Sequence, residues 1–263
     1  MSEQATRSAM AGRARISRLA LLALLLALVS AAVLGGAAAG YRAGLWDTRI
    51  ALLTLTRYGA YGAGAATVVA LIAVGRSWPG GTRRGLTMAA IALVIGAGLS
   101  YHIGAQWYRV KTLPFIHDIT TDTDNPPEFV AVVPERVAQG ANPHLYEGPE
   151  LAAKQKAGYP DLGPFMAHVG LDEAFERALA VAQARGWAIV DSDKAGHRIE
   201  ATDTSLFYGF KDDIVIRITP AGDGAEAGSR IDVRSLSRVG RSDVGVNAAR
   251  IKCFLDELEK SFG

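Results

Sequence analysis

Residues 19–40, LALLALLLALVSAAVLGGAAAG, hold no charged side chain. A helix of this length, rising about 1.5 Å per residue, spans the roughly 30 Å hydrocarbon core of a bilayer. Working outward, residues 58–75 (YGAYGAGAATVVALIAVG) and 85–107 (GLTMAAIALVIGAGLSYHIGAQW) repeat the pattern, the former slightly short and rich in glycine. Three such runs within about 110 residues do not suit a water-soluble core. The sequence therefore predicts an N-terminal bundle of three transmembrane helices. Gly36 with Gly40, Gly62 with Ala66, and Ser100 with Gly104 stand in small-xxx-small spacing. Such spacing permits close helix approach in lipid, and small-residue composition alone also produces it.

Charge divides the chain where the third run ends. The formal net charge is only +2, but residues 1–111 carry 12 Lys and Arg against two acids (net +10) and residues 112–263 carry 16 against 24 (net −8). Cations flanking membrane helices explain the first half. The acidic second half disfavours nucleic acid, whose phosphates require clustered cations. The expected division is thus a transmembrane region, 1–111, and a soluble domain, 112–263. A single cysteine, Cys253, excludes an intrachain disulfide and a cysteine-based zinc site.

Arg7, Arg13, Arg15 and Arg18 precede the first run, and Arg76, Arg83 and Arg84 lie between the second and third. These seven cations share one side, against the five of Arg42, Arg49, Arg57, Arg109 and Lys111. Cation bias then predicts a cytoplasmic N-terminus and an exported C-terminal domain, periplasmic if the membrane is a bacterial inner membrane. The basic start, apolar run and Ala37-x-Ala39 also fit a cleaved signal peptide, which leaves that domain on the same side. His102 lies near Tyr101, Gln106, Trp107 and Tyr108, the composition of an interfacial belt, with a proton relay as the alternative.

Eight prolines from Pro114 to Pro164 make residues 112–168 a loop-rich connector, with a short strand expected at about 129–133 (FVAVV). A helix follows at 171–185, with Leu171, Phe175, Ala178, Leu179 and Ala182 on one stripe and Gly186 ending it. Strands are expected at 187–191, 197–203, 213–219 and 230–236, with Gly222, Gly224 and Gly228 turning the chain between the last two. Ile199, Ala201, Ile214, Ile216, Ile218, Ile231 and Val233 fall on one face, and Arg198, Glu200, Thr202, Arg217, Asp232 and Arg234 on the other. A last helix at about 243–261 carries Val244, Ala248, Ile251, Leu255, Leu258 and Phe262 on one stripe, and Cys253 beside that stripe is expected to be buried or half-buried. The fold class is α+β: an antiparallel sheet with helices on its isoleucine face.

No P-loop, H-E-x-x-H, G-x-S-x-G or glycine-rich dinucleotide turn is present, and five scattered histidines lack metal-ligand spacing. No catalytic residue, metal or cofactor is assigned. Three weaker constellations remain. Arg234, Arg238 and Arg241 lead into Ser242-Asp243 and Asn247, where guanidiniums and helix-start amides suit a small anion. The alternative is that Ser242 or Asp243 caps the helix and the arginines pair with local acids. The polar sheet face reads as solvated cross-strand ion pairs or as a ligand-binding floor. His117, Asp118, Asp122 and Asp124 form an oxygen-rich loop without the glycine and terminal glutamate of an EF-hand.

Two blocks, PFIHDITTDTDNPPEF at 114–129 and FYGFKDDIVIRITP…SRIDVRSLSRVGRSDVGVNAAR across 207–250, resemble the family known as domain of unknown function 1499. Asp118, Thr121, Asp122, Asp212, Asp213, Arg234, Ser235, Arg238, Asp243, Asn247 and Arg250 are among the positions carrying the likeness. The resemblance spans nearly all of 112–263 and omits the three-helix head. It implies a bacterial or plastid-type protein, often membrane-attached, and no particular activity. The expected function is a membrane-anchored envelope protein whose exported domain binds a protein partner or a small anionic ligand without turnover. The alternative is a tethered hydrolase in which Asp212 or Asp213 works with Asp118 or Asp122 as acid and base.

Overall fold

A computed structural model describes residues 16–78, 84–222 and 228–263. Arg7, Arg13, Arg15 and Arg83, invoked above for orientation, and Gly224 lie outside them. The chain divides into two compact units, Met1–Trp107 and Tyr108–Gly263.

The first unit holds helices long and apolar enough to cross a membrane: α1 (Arg18–Arg42), a continuous helical stretch Arg49–Arg76, and the start of α3 (Leu86–Thr112). The second span exceeds the 58–75 expected because a π-helical segment, Arg49–Leu55, runs directly into α2 (Thr56–Arg76). Ser17 caps α1 through its hydroxyl and donates its amide to the Arg84 carbonyl at 2.8 Å. This bond sets the starts of α1 and α3 side by side, as three antiparallel crossings require. Alanines make the seams: Ala23, Ala27, Ala66, Ala70 and Ala92 form one buried cluster. Leucines such as Leu21, Leu25 and Leu28 face outward, the distribution suited to helices solvated by lipid. Gly96 shows what small size allows here, since a Cβ there would stand 2.8 Å from Thr67 Oγ1.

The second unit is an antiparallel sheet in the order β1-β6-β5-β4-β3, with β2 also on the free edge of β6. Its strands are β1 (Asp118–Thr120), β2 (Phe165–Ala167), β3 (Ala188–Asp193), β4 (Arg198–Thr204), β5 (Lys211–Pro220) and β6 (Ser229–Ser237). Two amphipathic helices, α6 (Leu171–Ala184) and α7 (Val246–Phe262), pack on the face bearing Ile199, Ile214, Ile216, Ile231 and Val233. Phe175, Trp187, Ile251, Phe254 and Leu258 complete that core, with Trp187 stacked on Phe254 at 5.3 Å. The expected α+β architecture is therefore present, with helices on the isoleucine face.

Three sequence expectations are corrected. Residues 129–133 form no strand: the segment turns into a short helix, α4 (Val133–Ala138), with Pro134 in its first turn. Its apolar residues pack on Val215 and Leu236 instead of joining the ladder. The polar sheet face is not solvated, since Glu200, Asp213, Asp232 and Arg234 are buried beneath the connector. Cys253 is exposed, because Ile251, Phe254 and Leu258 take the inward positions of α7. Elsewhere in the connector α5 (Pro149–Gly158) also starts on a proline, so two of the prolines begin helices instead of preventing them.

Candidate functional site

The buried polar face is built row by row from strand register. Asp118 on β1, Leu236 on β6, Asp213 on β5 and Thr202 on β4 stand opposite one another. The next row is Thr120, Arg234, Val215 and Glu200, and the next runs through Asp232, Arg217 and Arg198. Alternation places these side chains on one face, and the connector then closes over them.

Every carboxylate there has a cationic or amide partner. Arg234 grips Asp118 with two bonds, Nε to Oδ1 at 2.9 Å and Nη2 to Oδ2 at 2.8 Å. Its remaining donors reach the carbonyls of Pro127 and His144 at 3.1 and 2.8 Å, and its guanidinium lies over the rings of Phe129 and Tyr146. Asp213 takes Arg136 on one side and Arg238 on the other, with Arg238 Nη2 2.7 Å from Oδ1, and also accepts from Thr202 Oγ1 at 2.7 Å. Burial lowers the Arg136 pKa, and Asp213 opposes that shift. Burial also disfavours the Arg238 cation, but the bonds to Asp213 and Glu135 win and raise its pKa. Hydrogen bonding to Arg238, with help from Lys211, lowers Glu135 to about 2. Asp232 and Asp122 share Arg217 and Arg230, with Nη2 of Arg217 3.1 Å from both acids. Glu200 accepts three backbone amides: Val130 and Ala131 at Oε1 (2.9 and 3.0 Å) and Val132 at Oε2 (3.0 Å). Arg198 Nε stands 3.0 Å from Glu200 Oε1 as an ion-pair partner, although that nitrogen is not aligned for a hydrogen bond.

A second polar cluster lies on the opposite, helix-bearing face. Arg250 of α7 reaches Asp203 and Asp212 at 2.8 and 2.7 Å and also contacts Ser235 and Asn247. Asn247 in turn donates to the His117 carbonyl and to Ser237 Oγ at 2.9 and 3.0 Å.

Neither the arginine-rich anion site nor the set of four acids read from sequence is assembled into one site. Arg234 and Arg238 lie beneath the connector, Asn247 is on the other face, and Arg241 is exposed. The start of α7 is occupied by Asp243, whose carboxylate accepts from the amides of Gly245 and Asn247 at 2.9 and 2.8 Å. Burial raises the Asp243 pKa against those amides, and Ser242 stands beside this cap. Of the four acids, Asp212 and Asp213 point to opposite faces, and Asp118, Asp122, Asp212 and Asp213 pair with different arginines, those of Asp122 being shared with Asp232. No cluster of three His, Cys, Asp or Glu suited to a metal occurs among the described residues.

Sequence reasoning missed the concave surface. Where the connector turns at 121–124 and α5 runs past it, two adjoining hollows open, of about 520 and 470 Å³. Thr123, Asp124 and Lys156 line both, Tyr159 and Arg230 line the first, and Tyr146 the second. The hydroxyls of Tyr146 and Tyr159 are buried, and neither has a hydrogen-bond partner among the described residues. Burial and the charge of Asp118 push Tyr146 up to about 12; burial, then Asp243, raises Tyr159. Both are therefore protonated donors at neutral pH. The sequence signal for the site was slight: two tyrosines and one lysine in a proline-rich stretch.

The fold is an α+β domain whose buried charges are paired and whose hollows lie between the connector and α5, in a chain that also holds helices of membrane-spanning length. The chain belongs to the family described as Protein of unknown function (DUF1499), whose model matches residues 118–258. The match covers the sheet domain and leaves the three apolar helices outside it. No curated protein matches the chain.

Proposed function

We propose that this is a membrane-anchored envelope protein whose domain, exported from a bacterial cytoplasm, binds a small anionic ligand in the connector hollows without turnover. One observation carries the reading: the cationic side chain of Lys156 lines both hollows, and Arg230 lines the first. The Lys156–Asp124 pair, 3.3 Å apart on the surface, holds little energy and opens readily to an incoming anion. Arg234 and Arg238, the cations favoured by sequence, are already spent on Asp118, Asp213 and Glu135. The hydrolase alternative draws no support from acids held apart by separate arginines.

Calorimetric titration of the detergent-solubilised chain with inorganic phosphate, glycerol phosphate and pyrophosphate tests the ligand. Saturable binding should weaken roughly tenfold, about 1.4 kcal/mol, in Lys156→Glu. Tyr159→Phe should leave the melting temperature unchanged or raised, since it deletes an unpaired buried group. Absence of heat with all three anions defeats the ligand reading. A reporter active only outside the cytoplasm, fused after Gly263, should be active; activity of only a cytoplasmic reporter overturns the orientation.

A further inference from the structure

The chain enters the sheet domain at one end, and that end is apolar. Five residues, 113–117, separate α3 from β1, a reach of no more than about 18 Å even if fully extended. They are not extended freely: Ile116 accepts from the Asp243 amide and His117 from the Ser237 amide, both at 3.0 Å. Register places Ser237 beside Asp212, and Asp212 beside Asp203, so the β4–β5 hairpin at 205–210 projects from this same end. The loop from β6 to α7, residues 238–245, projects there too.

Exposed large apolar side chains concentrate on this end. Leu206 is 83% exposed and Phe207 69%, and Phe115, Val137, Val239 and Val246 are exposed with them. Val137 belongs here because α4 is tied to β6 where Asn142 donates to the Arg238 carbonyl at 2.8 Å. The hairpin, SLFYGF, holds no acid, and Tyr208 stacks on Phe210 at 5.2 Å behind its tip. In the 238–245 loop the single acid, Asp243, is buried as a cap, while Arg241 is exposed. The end of the sheet domain at which the chain enters thus carries exposed aromatic and aliphatic side chains, and the acids nearest them, Glu135, Asp203 and Asp212, are paired with arginines. Leucine, aromatic rings and arginine at one rim suit the boundary between headgroups and acyl chains.

We propose that the β4–β5 hairpin tip, Leu206–Phe207, inserts shallowly into the lipid interface of the membrane in which the chain is anchored. The occupant is lipid, not a second protein, because a tether of five residues keeps this end of the domain within reach of that bilayer. The proposal rests on the membrane-anchored reading, and its test separates the two.

The full chain carrying Cys253→Ser is placed in nanodiscs of phosphatidylglycerol and phosphatidylcholine, with one environment-sensitive fluorophore at a new cysteine. Leu25→Cys reports the anchor, Phe207→Cys and Leu206→Cys the hairpin, and Ala195→Cys the β3–β4 turn at the opposite end of the sheet. Lipids brominated near the glycerol end of the chain should quench both hairpin labels and leave Ala195→Cys unaffected. Two hairpin positions are used so that one retains the native Phe207. Hairpin labels no more quenched than Ala195→Cys, with Leu25→Cys quenched, overturn the insertion and leave the anchor standing. Absence of quenching at Leu25→Cys overturns the anchor and the insertion with it.

Discussion

Removing the guanidinium of Arg234 should be among the most destabilising single changes in the sheet domain. Arg234→Met strands the Asp118 carboxylate, which is buried and loses both of its bonds to Arg234, at 2.9 and 2.8 Å. Breaking a buried pair from one side costs about 3–5 kcal/mol, since the remaining charge is neither solvated nor neutralised. Asp118→Leu alone strands the arginine and should cost about as much. The double variant Asp118→Leu/Arg234→Met leaves no orphan charge and sets apolar side chains among Phe129, Val215 and Leu236. It loses the arginine's bonds to the Pro127 and His144 carbonyls, so a residual cost of about 1–3 kcal/mol is expected. The coupling between the two sites is then at least about 3 kcal/mol, toward the upper end for residues in contact. Pulse proteolysis across a urea series, on the full chain in detergent, reads the surviving fraction of the domain in all four members of the cycle. Additive single costs, or an Arg234→Met penalty below about 1 kcal/mol, would show that the pair is not held out of water as described.

Three further outcomes follow from other members of the two polar layers. Glu200→Gln sets an amide nitrogen against the Val132 amide and should cost about 1–3 kcal/mol, with faster hydrogen exchange confined first to residues 130–132. Glu135 is depressed by Arg238 to about 2, so its contribution is present above its ordinary 4.5 and is lost as pH falls through about 2. The stability gap between wild type and Glu135→Gln, from urea titrations, should therefore be widest at neutral pH and close at the acid end. Asp243 has the opposite sign: burial raises its pKa, so its ionisation penalises the native state above that value and the penalty lifts on acidification. Asp243→Asn should accordingly be neutral or stabilising at pH 7, whereas Asp243→Ala loses the cap and costs about 1 kcal/mol.

The elements whose period the sequence displays were legible from it. Alternating isoleucines placed β4, β5 and β6 within two residues of their observed limits, and the apolar stripe of α6 is the buried one. Two physical facts hid the rest. Period-two alternation reports which side chains share a face but not whether that face meets water, so paired acids and arginines were read as solvated when a connector covers them. Val132 and Val133, in a run that scores as a strand, instead pack on Val215 and Leu236 while Glu200 takes the preceding amides, a tertiary contact no local pattern encodes. Strands β1 and β2 have three residues each, too short for any period. Of the candidate residues, Asp243 was legible as a cap because Ser-Asp before an apolar stripe has few other uses. Tyr146 and Tyr159 were not, because their significance lies in a missing partner.

The arrangement of partners argues for what the buried charge does. Asp118 of β1 meets Arg234 of β6, Asp213 of β5 meets Arg136 of α4, Asp122 of the connector meets Arg217 and Arg230, and Glu200 of β4 meets connector amides. Three of these four links join the sheet to the proline-rich segment between β1 and α5, which has few apolar side chains to seat it. A buried ion pair adds little net stability over an apolar pair of the same shape. A misplaced connector, however, leaves several charges buried without partners, at several kcal/mol each. The ion pairs therefore select one path for a segment that hydrophobic burial alone would leave free to slide. That path is what brings Thr123, Asp124 and Tyr146 to the flank of α5 beside Lys156. On this argument a connector arginine such as Arg136 should matter to the ligand hollows even though it touches neither, because it sets where their wall runs.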